Sequence, residues 1–281
     1  MRAKFVVLAA LILAGCGSTP KPADPPRLRA ALEAENDGAR RYGRGDYIVA
    51  ARRFDEAARL FAGIDDPAGA LRNRQHLARS ELALGRHEEA LRSLAPAASG
   101  ADQGPTLETL QLRAQAQLAL NNYDAAGQSL AAAVAQCGAA CPQAASLHLL
   151  QARAALASHQ VADALMHAQA ALKLLQDKNE AAETGNAWRI IAAARLAGGD
   201  AAGALPAAQT ALDIDRQLAL PEKIASDWLL IGAIRLKLGT GDAAAAYQRA
   251  LDVARAAGLA DIAATATRAL QEVPGAGTSA R

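Results

Sequence analysis

The sequence predicts an all-α solenoid of about six helical hairpins closed by a C-terminal capping helix, and three observations predict it. Alanine supplies about a quarter of the 281 residues and aromatics only 3%. Alanine has the highest helix propensity, and few β-branched or aromatic residues compete for strands, which argues against a sandwich, a barrel or a collagen-like chain. A turn signature recurs at positions 45, 85, 121, 159, 199 and 239, about every 39 residues. Seven residues before each turn stands a small residue: Gly38, Ala78, Ala114, Ala152, Ala192 and Gly232. The length suffices to bury a core.

Taken in order, residues 1–15 have the form of an export signal, with basic Arg2 and Lys4 before an apolar run from Phe5 to Leu13. That run is too short to span a bilayer, which needs about 20 residues. Leu13-Ala14-Gly15-Cys16 resembles the lipobox of bacterial lipoproteins. The resemblance implies that Cys16 carries a diacylglycerol and an acyl chain such as palmitate, and becomes the mature N-terminus. An ordinary signal peptide with an incidental cysteine is the bland alternative. Gly17, rather than Asp, follows the cysteine. By the same resemblance this implies the outer membrane of a Gram-negative bacterium, on its periplasmic face. Several acyl chains anchor stably, since each buried CH₂ contributes about 0.8 kcal/mol. Residues 16–27 hold Pro20, Pro22, Pro25 and Pro26, a composition that favours an extended polyproline II tether. Without Arg2 and Lys4 the chain has 28 basic and 28 acidic residues, which removes the electrostatic footprint of a nucleic-acid binder.

Residues 28–273 carry the repeat. Gly45-Asp46-Tyr47 leads to Ala50, Phe54 and Ala57, and Gly85-Arg86-His87 leads at the same offsets to Ala90, Leu94 and Ala97. Asn121-Asn122-Tyr123, His159-Gln160-Val161 and Gly199-Asp200-Ala201 continue the series, and Gly239 opens a copy one residue shorter. Small residue, turn and large residue in this order describe two antiparallel helices in close approach, with Gly or Asn as a left-handed cap. Over residues 31–256 this resembles the tetratricopeptide repeat family, which implies a right-handed superhelix. The period is longer than the family's roughly 34 residues. The fourth turn, His159-Gln160, departs from the usual Gly-Asp. A final helix from Leu259 to Glu272, with Asp261 as its N-cap, is expected to cover the last apolar face. Pro206 either bends the second helix of the fifth hairpin or stands near its start. Residues 274–281 read as a disordered tail.

No nucleophile elbow, phosphate loop or His-Glu-x-x-His occurs, so neither an enzyme, a metal site nor any cofactor beyond the lipid on Cys16 is expected. Cys137 and Cys141 lie four residues apart in a chain expected to be exported, which suggests a disulfide; reduced thiols or metal and redox chemistry are the alternatives. His87 holds the slot of Tyr47 and Tyr123 and reads as a packing residue. Trp188 and Trp228 stand at equivalent places and read as core, with a groove-rim role for Trp228 as the alternative. Acidic residues read as solvated helix faces.

The resemblance places the inner face of the superhelix on the first helices. The positions it implies include Arg72, Gln75 and Arg79 in the second hairpin, Gln111 and Gln115 in the third, Arg153 in the fourth and Arg189 in the fifth. Leu82, Leu118, Leu156 and Leu196 stand beside them. Leucine offers an apolar shelf, amides pair with a peptide backbone and arginine forks onto a carboxylate. A merely solvated face of good helix formers explains the same residues equally well. The expected function is a membrane-anchored scaffold or adaptor that binds an envelope protein or peptide segment. A pilotin-like factor for type IV pilus secretins, a small-ligand receptor and a purely structural lipoprotein are the alternatives.

Overall fold

The computed structural model describes residues 24–95, 104–138 and 141–273. The leader, Cys16, most of the tether and the tail lie outside the described residues. Within them are thirteen helices and no strand. The first three hairpins are α1 (Pro26–Gly43) with α2 (Tyr47–Ala62), α3 (Pro67–Ala83) with α4 (His87–Ser93), and α5 (Leu107–Ala119) with α6 (Tyr123–Cys137). The next three are α7 (Ala144–Ala157) with α8 (Val161–Leu175), α9 (Ala181–Ala197) with α10 (Ala201–Gln217), and α11 (Pro221–Leu238) with α12 (Ala243–Ala256). The last helix is α13 (Ala260–Glu272). The chain is a solenoid of six helical hairpins with a terminal helix against α12.

All six expected turns join the two helices of one hairpin, and each has its left-handed residue. His159, with φ 60°, adopts this conformation although it bears a side chain, as does Asn121 at 56°. The small residues do what their size predicts. Ala78, Ala114, Ala152 and Ala192 are fully buried. A Cβ added at Gly38 would stand 2.8 Å from the Phe54 ring, and one at Gly232 would stand 2.5 Å from Tyr247. The two helices of these hairpins therefore meet at a distance that only the missing methyl allows.

First helices also touch the next first helices, α3 to α5, α5 to α7, α7 to α9 and α9 to α11, whereas each second helix lies between its own partner and the following first helix. Alanine, leucine and isoleucine fill the seams, the largest of them running from Leu149 to Ala246. Trp188 and Trp228 pack against that seam. The Trp228 ring lies under Arg216 and Arg249, at 5.1 and 5.6 Å, and both arginines belong to second helices. The ring therefore faces the outer layer, not the groove.

Two local expectations are settled differently. Leu259, not Asp261, precedes the first residue of α13; Gly258, with φ 71°, turns the chain so tightly that the helix begins at Ala260. Asp261 instead sits in the first turn, where its charge favours the helix dipole. Pro206 lies inside α10, whose start at Ala201 leaves the proline past the tolerated first turn. Its missing N–H frees a backbone acceptor, and the nearby carbonyl of Gly203 accepts a hydrogen bond from Arg195 Nη1 at 2.8 Å.

Candidate functional site: the face of the first helices

The polar residues expected to face a peptide are mostly engaged with the protein itself. Arg72 forks onto Glu35, Nε to Oε1 at 2.5 Å and Nη2 to Oε2 at 2.9 Å, tying α3 to α1. The guanidinium holds the Glu35 carboxyl below its ordinary range. Gln75 is buried and donates to the hydroxyls of Thr106 and Thr109 at 2.8 and 3.1 Å. Arg79 pairs with Glu108 at 2.8 Å, again tying α3 to α5. Gln111 donates to Ser146 at 2.8 Å, tying α5 to α7. Arg189 donates to Asp227 at 2.6 Å, tying α9 to α11, and to Asp215 on α10. These side chains form a ladder of staples between successive first helices; the Arg72 and Arg79 side chains remain accessible to solvent, so a partner reaches them only by displacing Glu35 or Glu108.

The leucines follow the same logic. Leu118 is buried, and Leu82, Leu156 and Leu196 are half-buried against the seams. They fill the solenoid instead of forming an open apolar shelf, because the close approach made possible by alanine draws them inward.

The ladder is interrupted between α7 and α9. Arg153 makes no ion pair or hydrogen bond among the described residues, and neither does Gln115 on α5. Arg153 is exposed on the face of the first helices. Loss of water, and then repulsion from Arg189, push its pKa below the ordinary arginine range, while Glu183 opposes that shift. Lys223 on α11 is half-buried and is pushed down by burial first, with Asp215 opposing.

Two aspartates held by Arg189 are fully buried, Asp215 and Asp227, which the sequence reading assigned to solvated faces. Burial raises the Asp227 carboxyl to about 7 against the pull of Arg189, and a hydrogen bond with Asp215 adds to the rise. Asp215 Oδ1 has no donor when both acids are ionised. A proton kept on Asp227 and shared with Asp215 through that hydrogen bond accounts for both facts. A sequence signal did exist in Gly185 of α9, where an added Cβ would stand 3.1 Å from Asp215 Oδ1.

Elsewhere, the sulfurs of Cys137 and Cys141 are paired, with Cα atoms 5.3 Å apart, at the connector from α6 to α7. His148 and His167, far apart in sequence, face each other with Nδ1 atoms at 3.2 Å. His87 opens α4 with its Nδ1 buried. Among the described residues no group of three or more His, Cys, Asp or Glu could hold a metal ion, and no helix is long and apolar enough to cross a membrane.

No protein-family model matches the chain, and no curated protein matches it. Among solved structures it is similar to the apo form of RapI, with a TM-score of 0.60 at 15% identity over 86% of this chain and 71% of that one. The likeness shows the tetratricopeptide-like stack of hairpins and nothing about partners.

Proposed function

We propose that the chain is a scaffold that binds a protein or peptide segment on the face of its first helices, held at the periplasmic face of the outer membrane by lipid on Cys16. The location rests on Leu13-Ala14-Gly15-Cys16 and the preceding apolar run. The binding reading rests on one observation above all. In a face where five of seven expected contact residues are consumed by staples, Arg153 stays charged, solvent-accessible and without a partner among the described residues. An accessible guanidinium without a fixed partner is free to fork onto a carboxylate or carbonyl of a bound segment. Gln115, one first helix away, supplies an amide for a backbone. The segment that fits is short, extended or helical, and carries an acidic side chain.

Cross-linked pull-down from envelopes, comparing wild type with Arg153→Glu, tests this. Arg79 is left alone because reversing it would break the Glu108 staple. An envelope protein recovered by wild type and lost in Arg153→Glu supports the scaffold and its site; a secretin in that position makes the protein pilotin-like. Equal recovery by both moves the site elsewhere. Recovery of nothing by either turns the reading toward a small-ligand receptor or a structural lipoprotein.

A further inference from the structure

On the side of the solenoid formed by second helices, a cavity of about 450 Å³ opens between α2, α3 and α4. Three arginines from three helices line it, Arg59, Arg74 and Arg92, with Asp55 as the one lining carboxylate among the described residues. Its apolar wall includes Ala58 and Leu77. Arg59 leans on Asp55 at 3.0 Å and Arg92 on Glu89 at 2.8 Å, both exposed pairs that dissociate at little cost. Arg74 is half-buried and makes no ion pair or hydrogen bond among the described residues.

The repeat register makes Arg74 an anomaly. It stands four residues before the small residue Ala78, and the same register holds Ala34, Leu110, His148, Trp188 and Trp228 in the other hairpins. Five hairpins place an apolar or aromatic group against the second helices there, and only the second hairpin places a permanent cation. Among the described residues the fold gives this guanidinium no fixed partner, so packing does not account for a cation at this register. A ligand does.

We propose that this cavity binds a phosphate monoester, with Arg74 forking onto the phosphate from within and Arg59 and Arg92 closing on it from the rim. Three forks suit a dianion with three terminal oxygens better than a single carboxylate. The volume lies in the range of organic-ligand pockets and exceeds what a bare phosphate fills, and the apolar wall takes the remainder of the molecule. The site is distinct from the face of the first helices and does not depend on the reading given above for it.

Calorimetric titration of the full chain tests it, with inorganic phosphate, glycerol 3-phosphate and dihexanoyl phosphatidic acid as probes. At least one of the two esters is expected to bind more tightly than inorganic phosphate. Arg74→Leu, which copies Leu110 in the third hairpin, should weaken that ester at least about tenfold, while helix content and melting temperature are kept. Preference for dihexanoyl phosphatidic acid assigns the site to a lipid headgroup, and equal or better binding of glycerol 3-phosphate assigns it to a free metabolite. Arg59→Gln/Arg92→Gln serves as the second variant if Arg74→Leu does not fold, with the same expected loss. No binding by any probe, no preference for an ester, or unchanged binding in the variants overturns the proposal.

Discussion

Arg189 on α9 is held by one buried carboxylate from each of the next two helices, Asp215 on α10 and Asp227 on α11. One guanidinium thus fixes the fifth hairpin internally and fastens it to the sixth. Removing the cation strands two acids in the interior. Arg189→Met should therefore cost about 3–5 kcal/mol in urea unfolding, the range for breaking a buried ion pair from one side. Adding Asp215→Leu and Asp227→Leu to the same chain should restore much of that loss. A loss below 1 kcal/mol for Arg189→Met, about the worth of an exposed pair, would show that the triad is not closed in solution.

The same triad gives the fold a pH dependence. Asp227 is raised to about 7 in the folded chain, above its unfolded value of about 4. The stabilisation is fully present below the unfolded value. It declines as pH rises, because the unfolded chain sheds the proton that the folded chain retains, and it is lost at the folded pKa. Urea midpoints should fall between about pH 4 and pH 7, roughly the span in which the two states differ in bound protons. Asp227→Asn should flatten that slope. A slope of the opposite sign, or one that survives in Asp227→Asn, counts against the shared proton.

Four described residues with side chains sit in the left-handed region where glycine is unstrained, Asp65, Asn121, His159 at φ 60° and Ala219 at φ 53°. For an ordinary L-residue this conformation costs roughly 1–2 kcal/mol, part of which glycine gives back as unfolded-state entropy. Ala219→Gly should raise stability by up to about 1 kcal/mol. His159→Gly should raise it by less, because histidine tolerates the region better than alanine. Thermal melts of the two variants check both the sign and the order.

Gly232→Ala should do the reverse. The added methyl meets the Tyr247 ring at 2.5 Å, and overpacking of this kind costs about 1–3 kcal/mol. In a Tyr247→Leu background the same substitution should cost clearly less, a non-additivity that a double-mutant cycle measures. Equal cost in both backgrounds would place the strain somewhere other than this contact.

The fold was legible because its signals are local and repeated. A small residue, a turn and a large residue, six times over, specify hairpins whatever else the chain contains. The staples were not legible, since an arginine reads alike on a helix whether it faces water, a partner or the next helix. Arg72, Gln75 and Arg79 were placed on the correct helices, but their acceptors Glu35, Thr109 and Glu108 lie some thirty residues away, beyond any periodicity. Asp215 and Asp227 were missed for the complementary reason. A buried acid carries no pattern of its own, and only the glycine opposite, Gly185, hinted at it. Arg74 was hidden in plain register, because aligning the small residues displays the anomaly only when the position four places earlier is compared across all six hairpins.

Helix α4 is only 7 residues long, whereas the other second helices run from 14 to 17. Among the described residues the outer layer is thin there, and the joint to the third hairpin rests on the Leu94, Leu112 and Ala116 seam with Gln75, Arg79 and the bond from Arg113 to the Leu94 carbonyl at 2.7 Å. In a linear stack cooperativity passes only from neighbour to neighbour. The joint after α4 is therefore where the solenoid is expected to give way under load. Tension along the stack should free the first two hairpins as one piece while the remaining four hold, a mechanical fuse set by half the length of an ordinary second helix.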